Sequence, residues 1–195
     1  MAKGKNDLIL RDRLQFTLDG SGDLPVVYGR IDLSDYTSVV NNEGLSIKEM
    51  RIQVRDPSLP NTGTFNPDLI ANLGAAGVTK GTMTIYGCTT AYESAVDVGI
   101  GSPNTFFQAE YVTFTGKETG ATAPSFTNVH YIQYGTPDLH PSGYVVVSDV
   151  LVGIATNQAL TYAEETLELD IMLIAEPVKV TKDELKEMLA QATDL

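Results

Sequence analysis

The chain has 195 residues, enough for one sizeable core; 43% are apolar and 19% charged, a composition that folds and excludes intrinsic disorder. Its net charge of −12 argues against generic nucleic-acid binding, which relies on clustered Lys and Arg. The single cysteine, Cys88, excludes an internal disulfide framework and a zinc site built on cysteine pairs.

The start, Ala2 to Arg13, carries Lys3, Lys5, Arg11 and Arg13 against Asp7 and Asp12, and reads as an extended, mildly basic arm. It lacks the apolar stretch of a secretory signal, and no apolar run approaches the roughly 18 residues of a membrane span. The expected location is therefore the cytoplasm, or a particle assembled there. From Leu8 onward apolar and polar residues alternate in segments bounded by Gly, Pro, Asn and Asp, the pattern of half-buried strands. The predicted strands are Leu8 to Leu18, Val26 to Leu33, the segment around Met50, Ile52 and Val54, Thr82 to Cys88, Thr105 to Thr115, Phe126 to Tyr134, Tyr144 to Ile154 and Thr166 to Ala175. About eight strands suffice for an all-β, two-sheet antiparallel sandwich.

Turn chemistry separates them. Asp19-Gly20-Ser21-Gly22-Asp23 and Asn41-Asn42-Glu43-Gly44 suit hairpin turns. Longer links run over 56–80, 116–124 and 135–143, the first with a helical turn expected between Ile70 and Ala76; loops of this length are expected to be functional or packed on a neighbour. At the C-terminus Thr181-Lys182-Asp183-Glu184 has capping-box spacing, Val180 and Leu185 occupy staple positions, and Leu185, Met188 and Leu189 form a narrow apolar stripe. This predicts a short amphipathic helix, expected to attach to a neighbouring copy. The domain reading is an arm over 1–13, a sandwich over 14–180 and a helix over 181–195.

The search for chemistry returns little. His130 and His140 lack the convergent partners of a metal site, and no nucleophile elbow or phosphate-cradling loop occurs. Asp19 to Asp23 imitates a calcium loop but continues with Leu24 at the sixth position and Arg30 at the twelfth. Glu164 and Glu165 read as solvated acids. Cys88, beside Gly87 at a strand end, reads as a buried structural thiol. Aromatic residues crowd the stretch from Tyr86 to Tyr144, which fits a core with a few exposed rings, a tyrosine-rich protein interface, or a sugar-stacking platform made less attractive by the lack of tryptophan.

In strand count, loop lengths and the extended start Ala2 to Arg13, the chain resembles the single jelly-roll coat proteins of small icosahedral viruses. The resemblance implies a structural, self-assembling homo-oligomer and not an enzyme, with no cofactor and with a virion location. It also implies other coat or membrane proteins of the same particle as partners. The weak basic start departs from the strongly basic genome-binding arm of many such proteins, which implies little direct nucleic-acid binding and packaging through another protein or an internal membrane. The interface candidates are Lys3, Lys5, Arg11, Arg13, Leu185, Met188 and Leu189. The alternative is a ligand-binding β-sandwich such as a carbohydrate-binding module; a small cupin-like enzyme is disfavoured by the missing histidine cluster.

Overall fold

The computed structural model describes residues 7–38, 40–71 and 77–191. Nine strands form: β1 (Leu8–Thr17), β2 (Leu24–Ile31), β3 (Glu43–Arg55), β4 (Gly77–Cys88), β5 (Thr105–Lys117), β6 (Phe126–Tyr134), β7 (Tyr144–Val146), β8 (Val150–Asn157) and β9 (Thr166–Lys179). Two helices, α1 (Thr136–Leu139) and α2 (Lys182–Gln191), complete them. One sheet runs β1-β9-β3-β7 and the other β2-β8-β4-β5-β6, with every pairing antiparallel.

With β6 set aside, β1 pairs with β9, β2 with β8, β3 with β7 and β4 with β5, alternately in the two sheets. That is the order produced by wrapping one long antiparallel hairpin around a core, the jelly roll. β6 is an extra strand, folded back along β5 without a break in register from Gln108↔Tyr134 to Gly116↔Phe126.

The described residues form nine strands where alternation predicts about eight, because Tyr144 to Ile154 is two strands in different sheets. β7 pairs with β3, the chain crosses at Val147 to Asp149, and β8 pairs with β2 and β4. Asp149 stabilises the crossing by accepting from the Leu33 amide at 2.8 Å and from the Arg30 guanidinium. The predicted strand from Leu8 forms as β1, so that Leu8 to Arg13, which the domain reading placed in the arm, belong to the β1–β9 ladder. β9 continues past the predicted end at Ala175 to Lys179, with Leu45 of β3 opposite Pro177.

Alternation along β9 buries Leu167, Leu169, Ile171, Leu173 and Ala175 between the sheets. They meet Met83, Ile85, Phe107, Val152 and Ile154 in one core. The long 56–80 link also serves this core: Leu69 and Ile70 are fully buried. The Leu69 amide donates to Thr113 Oγ1, which donates to the Pro67 carbonyl, and Tyr162 Oη links the Asn66 amide and carbonyl. Most of the predicted helical turn from Ile70 to Ala76 lies outside the described residues. Cys88 is buried and unpaired, and burial pushes its thiol up to about 12. A thiol reagent at neutral pH is expected to modify it only on unfolding; rapid labelling of the native protein contradicts this.

Candidate functional site

The outer face of the four-stranded sheet holds the predicted arm residues that can be described. Arg13 lies directly opposite Asp170 in the β1–β9 register and donates to both its carboxylate oxygens, at 2.5 and 3.1 Å. Glu168 stands 3.5 Å from Arg13 on one side, and Arg55, on the adjacent strand β3, lies 3.7 Å from Asp170. Arg11, Arg13, Arg51, Gln53, Asp170 and Met172 line an open concavity of about 690 Å³ on this face. Arg13 is thus committed to a cross-strand clamp within its own chain. Lys3 and Lys5 lie outside the described residues.

The hydrogen bond from Arg13 is the largest cause holding the Asp170 carboxyl below the usual carboxylate range. Its folded-state value is lowered, so its contribution to stability is full above the unfolded value near 4 and is lost as pH falls through the folded value. Asp170→Asn is expected to flatten the acid-unfolding profile below about pH 4 and to cost under about 1 kcal/mol at neutral pH, as exposed pairs do. An unchanged acid limb in denaturation curves contradicts the clamp.

The C-terminal stripe is also used within the chain. The Thr181 amide donates to Glu184 Oε2 at 2.8 Å and the Glu184 amide to Thr181 Oγ1 at 3.3 Å, which is the reciprocal capping box. Leu185 is buried with Val147 and Val180, and Met188 is half-buried against them. The helix therefore docks on its own domain, against the expectation of docking on a neighbour, because the Val147 crossing supplies an apolar seat next to the end of β9. The side chain of Leu189 lies outside the described residues.

The surface that is left open is β6. All nine of its residues are exposed, including Phe126, Val129, Tyr131, Ile132 and Tyr134 at 40–47%. Tyr131 faces the same way as core-facing Tyr111, opposite it in register and with ring centroids 4.6 Å apart. A chain of rings continues inward from Tyr111 to Phe65 and Tyr162, at 5.3 and 5.2 Å. The strand is therefore anchored to the core through its inner face, while no strand among the described residues pairs with its outer edge. Sequence periodicity missed this, because a strand buried on one face and a strand exposed on both can show the same alternation.

The remaining candidates are engaged or dispersed. His130 stands on β6 with its ring nearly perpendicular to that of Phe114, whereas His140 Nε2 is 3.1 Å from the Thr105 carbonyl. Asp19 Oδ1 accepts from the Ser21 and Asp23 amides, and Asp23 Oδ1 from the Gln158 amide, so the calcium-like sequence is a bonded turn. Among the described residues no three His, Cys, Asp or Glu side chains gather to hold a metal. A groove of about 560 Å³ crosses the outer face of the five-stranded sheet, with Lys80, Thr82, Glu93, Glu110 and Asn157 in its lining.

No family model matches the chain, and no curated protein matches it. Among solved structures it is similar to the unassembled pentamer of Merkel cell polyomavirus VP1, with a TM-score of 0.38 and 11% identity over 92% of this chain and 98% of that one. The likeness is architectural. In its own strand order the chain is a jelly roll, and in that respect it resembles the coat proteins built on this fold. No helix among the described residues is long and apolar enough to cross a membrane.

Proposed function

We propose that this chain is a structural, self-associating subunit of a closed protein shell, a viral coat protein located in the virion and acting without a cofactor. The observation that carries the reading is the open β6 edge. A nine-residue strand with five large apolar side chains in water is costly to leave uncovered, and a subunit that meets its own copies covers it. The jelly roll supports the reading by supplying a rigid block from which that edge projects.

Direct genome binding has little support on the described surface. On the four-stranded sheet Arg13, Lys48, Arg51, Arg55 and Lys179 each have a carboxylate within 4 Å, in a chain of net charge −12. Packaging is accordingly assigned to other coat or membrane proteins of the particle. The carbohydrate-binding alternative needs rings lying together on one face. Here Tyr131 faces one way while Phe126 and Tyr134, on the other face, are eight positions apart, roughly 26 Å along a strand.

Static light scattering across protein and salt concentration tests the reading. Mass well above the 21.0 kDa chain is expected, rising with concentration. A stable monomer throughout counts against it.

A further inference from the structure

We propose that β6 pairs edge to edge with β6 of a second copy, antiparallel about a two-fold axis at His130, joining two five-stranded sheets into one of ten. The inference rests on the self-association reading above and gives it a surface and a partner.

The four sheet edges are β1, β7, β2 and β6. Native edges are shielded by charge, shortness, proline or bulges. β1 carries Arg11, Asp12 and Arg13 in succession. β7 is three residues long. β2 contains Pro25 and Arg30 and has a register shift between Leu24 and Val27. β6 has none of these: Phe126 to Tyr134 includes no Lys, Arg, Asp, Glu or Pro, and its ladder with β5 is unbroken. An edge of this kind presents a row of backbone donors and acceptors that another strand can complete.

The sequence of β6 selects a second copy as that strand. His130 is its midpoint, so a two-fold there gives full overlap and places Phe126 opposite Tyr134, Thr127 opposite Gln133, Asn128 opposite Ile132 and Val129 opposite Tyr131. Every aromatic residue then faces an aromatic or β-branched neighbour, the favoured cross-strand pairs, and His130, which meets its own copy at the axis, is the single ionisable side chain brought opposite another apart from the tyrosines. The lack of carboxylates matters for a chain of net charge −12, because two copies repel least where they meet on a strip without Asp or Glu. The area is also sufficient. Five large side chains at 40–47% exposure leave on the order of 400 Å² per copy, taking about 150–250 Å² for each aromatic one. With the polar neighbours and backbone, two copies reach roughly the 1,200 Å² at which specific interfaces begin.

The test uses the full chain and two variants. Val129→Lys combined with Ile132→Lys puts a cation on each face of the strand; both positions are exposed, so the melting temperature should hold while association weakens about tenfold or more. His130→Cys should give a covalent dimer with a short thiol cross-linker in the native state, whereas wild type, with Cys88 buried, should not. Dimers cross-linked at position 130 without larger particles uphold the edge pairing and sink the shell reading. Shells that form equally well from the double-lysine variant, with no cross-link at position 130, overturn the edge pairing and leave the shell reading standing. Monomeric wild type overturns both.

Discussion

Phe106→Ala is expected to destabilise the domain by about 3–5 kcal/mol, the usual cost of truncating a fully buried aromatic side chain. Phe106 is 0% exposed at the start of β5. Its ring lies over Gly87 and approaches Tyr144, at 5.5 Å between centroids. Since Gly87 belongs to the five-stranded sheet and Tyr144 to the four-stranded one, the ring fills space between the sheets, where a cavity has few neighbours able to collapse into it. For a chain of this size the loss corresponds to a fall in melting temperature of roughly 10 °C. Phe114→Ala, on the outer face and 36% exposed, is the comparison and should cost under about 1 kcal/mol. Urea unfolding of both variants checks this. A loss below about 1 kcal/mol for Phe106→Ala would mean that the two sheets do not close on this ring.

Gly22→Ala is expected to cost about 2–4 kcal/mol, an amount unusual for a turn residue. Gly22 has φ +71°, and a Cβ there would stand 2.4 Å from the carbonyl carbon of Ala159 and 2.5 Å from its oxygen. The left-handed conformation adds about 1 kcal/mol for a residue with a Cβ, and the collision is with main chain that cannot rotate away, which adds about 1–3 kcal/mol. Ala159 cannot simply withdraw, because its amide donates to the Gly22 carbonyl at 3.0 Å and Thr156 Oγ1 donates to the same oxygen at 3.0 Å. Gly120 separates the two effects. It has φ +82° with nothing within 4 Å of a Cβ, so Gly120→Ala should show the conformational cost alone. Equal losses at the two glycines contradict the close packing of the β1–β2 turn on the link between β8 and β9.

What the sequence makes legible is what depends on neighbours a few residues away. Alternation identifies Leu167 to Ala175 as a core-facing row, and the spacing of Thr181 and Glu184 identifies the start of α2. The division of Tyr144 to Ile154 between two sheets is not legible, because the pattern is continuous and only the bonds of Asp149 to Arg30 and Leu33, more than a hundred residues earlier, mark the crossing. Arg13 looks like a free basic residue until its partner, 157 positions away, is brought opposite it. The seat of Leu185 and Met188 is hidden for the same reason, since Val147 reaches it only after the roll has closed. β6 is the most instructive segment. Its pattern predicts a strand correctly, yet whether a second sheet covers that strand is decided by strand order, and here the order puts it outside.

The central claim is that a jelly roll with one unshielded edge is a building block and not a finished molecule. Electron microscopy of the purified full chain tests it most directly. The account predicts closed particles of uniform diameter in which neighbouring subunits meet along β6. A field of single 21.0 kDa chains at high protein concentration contradicts it.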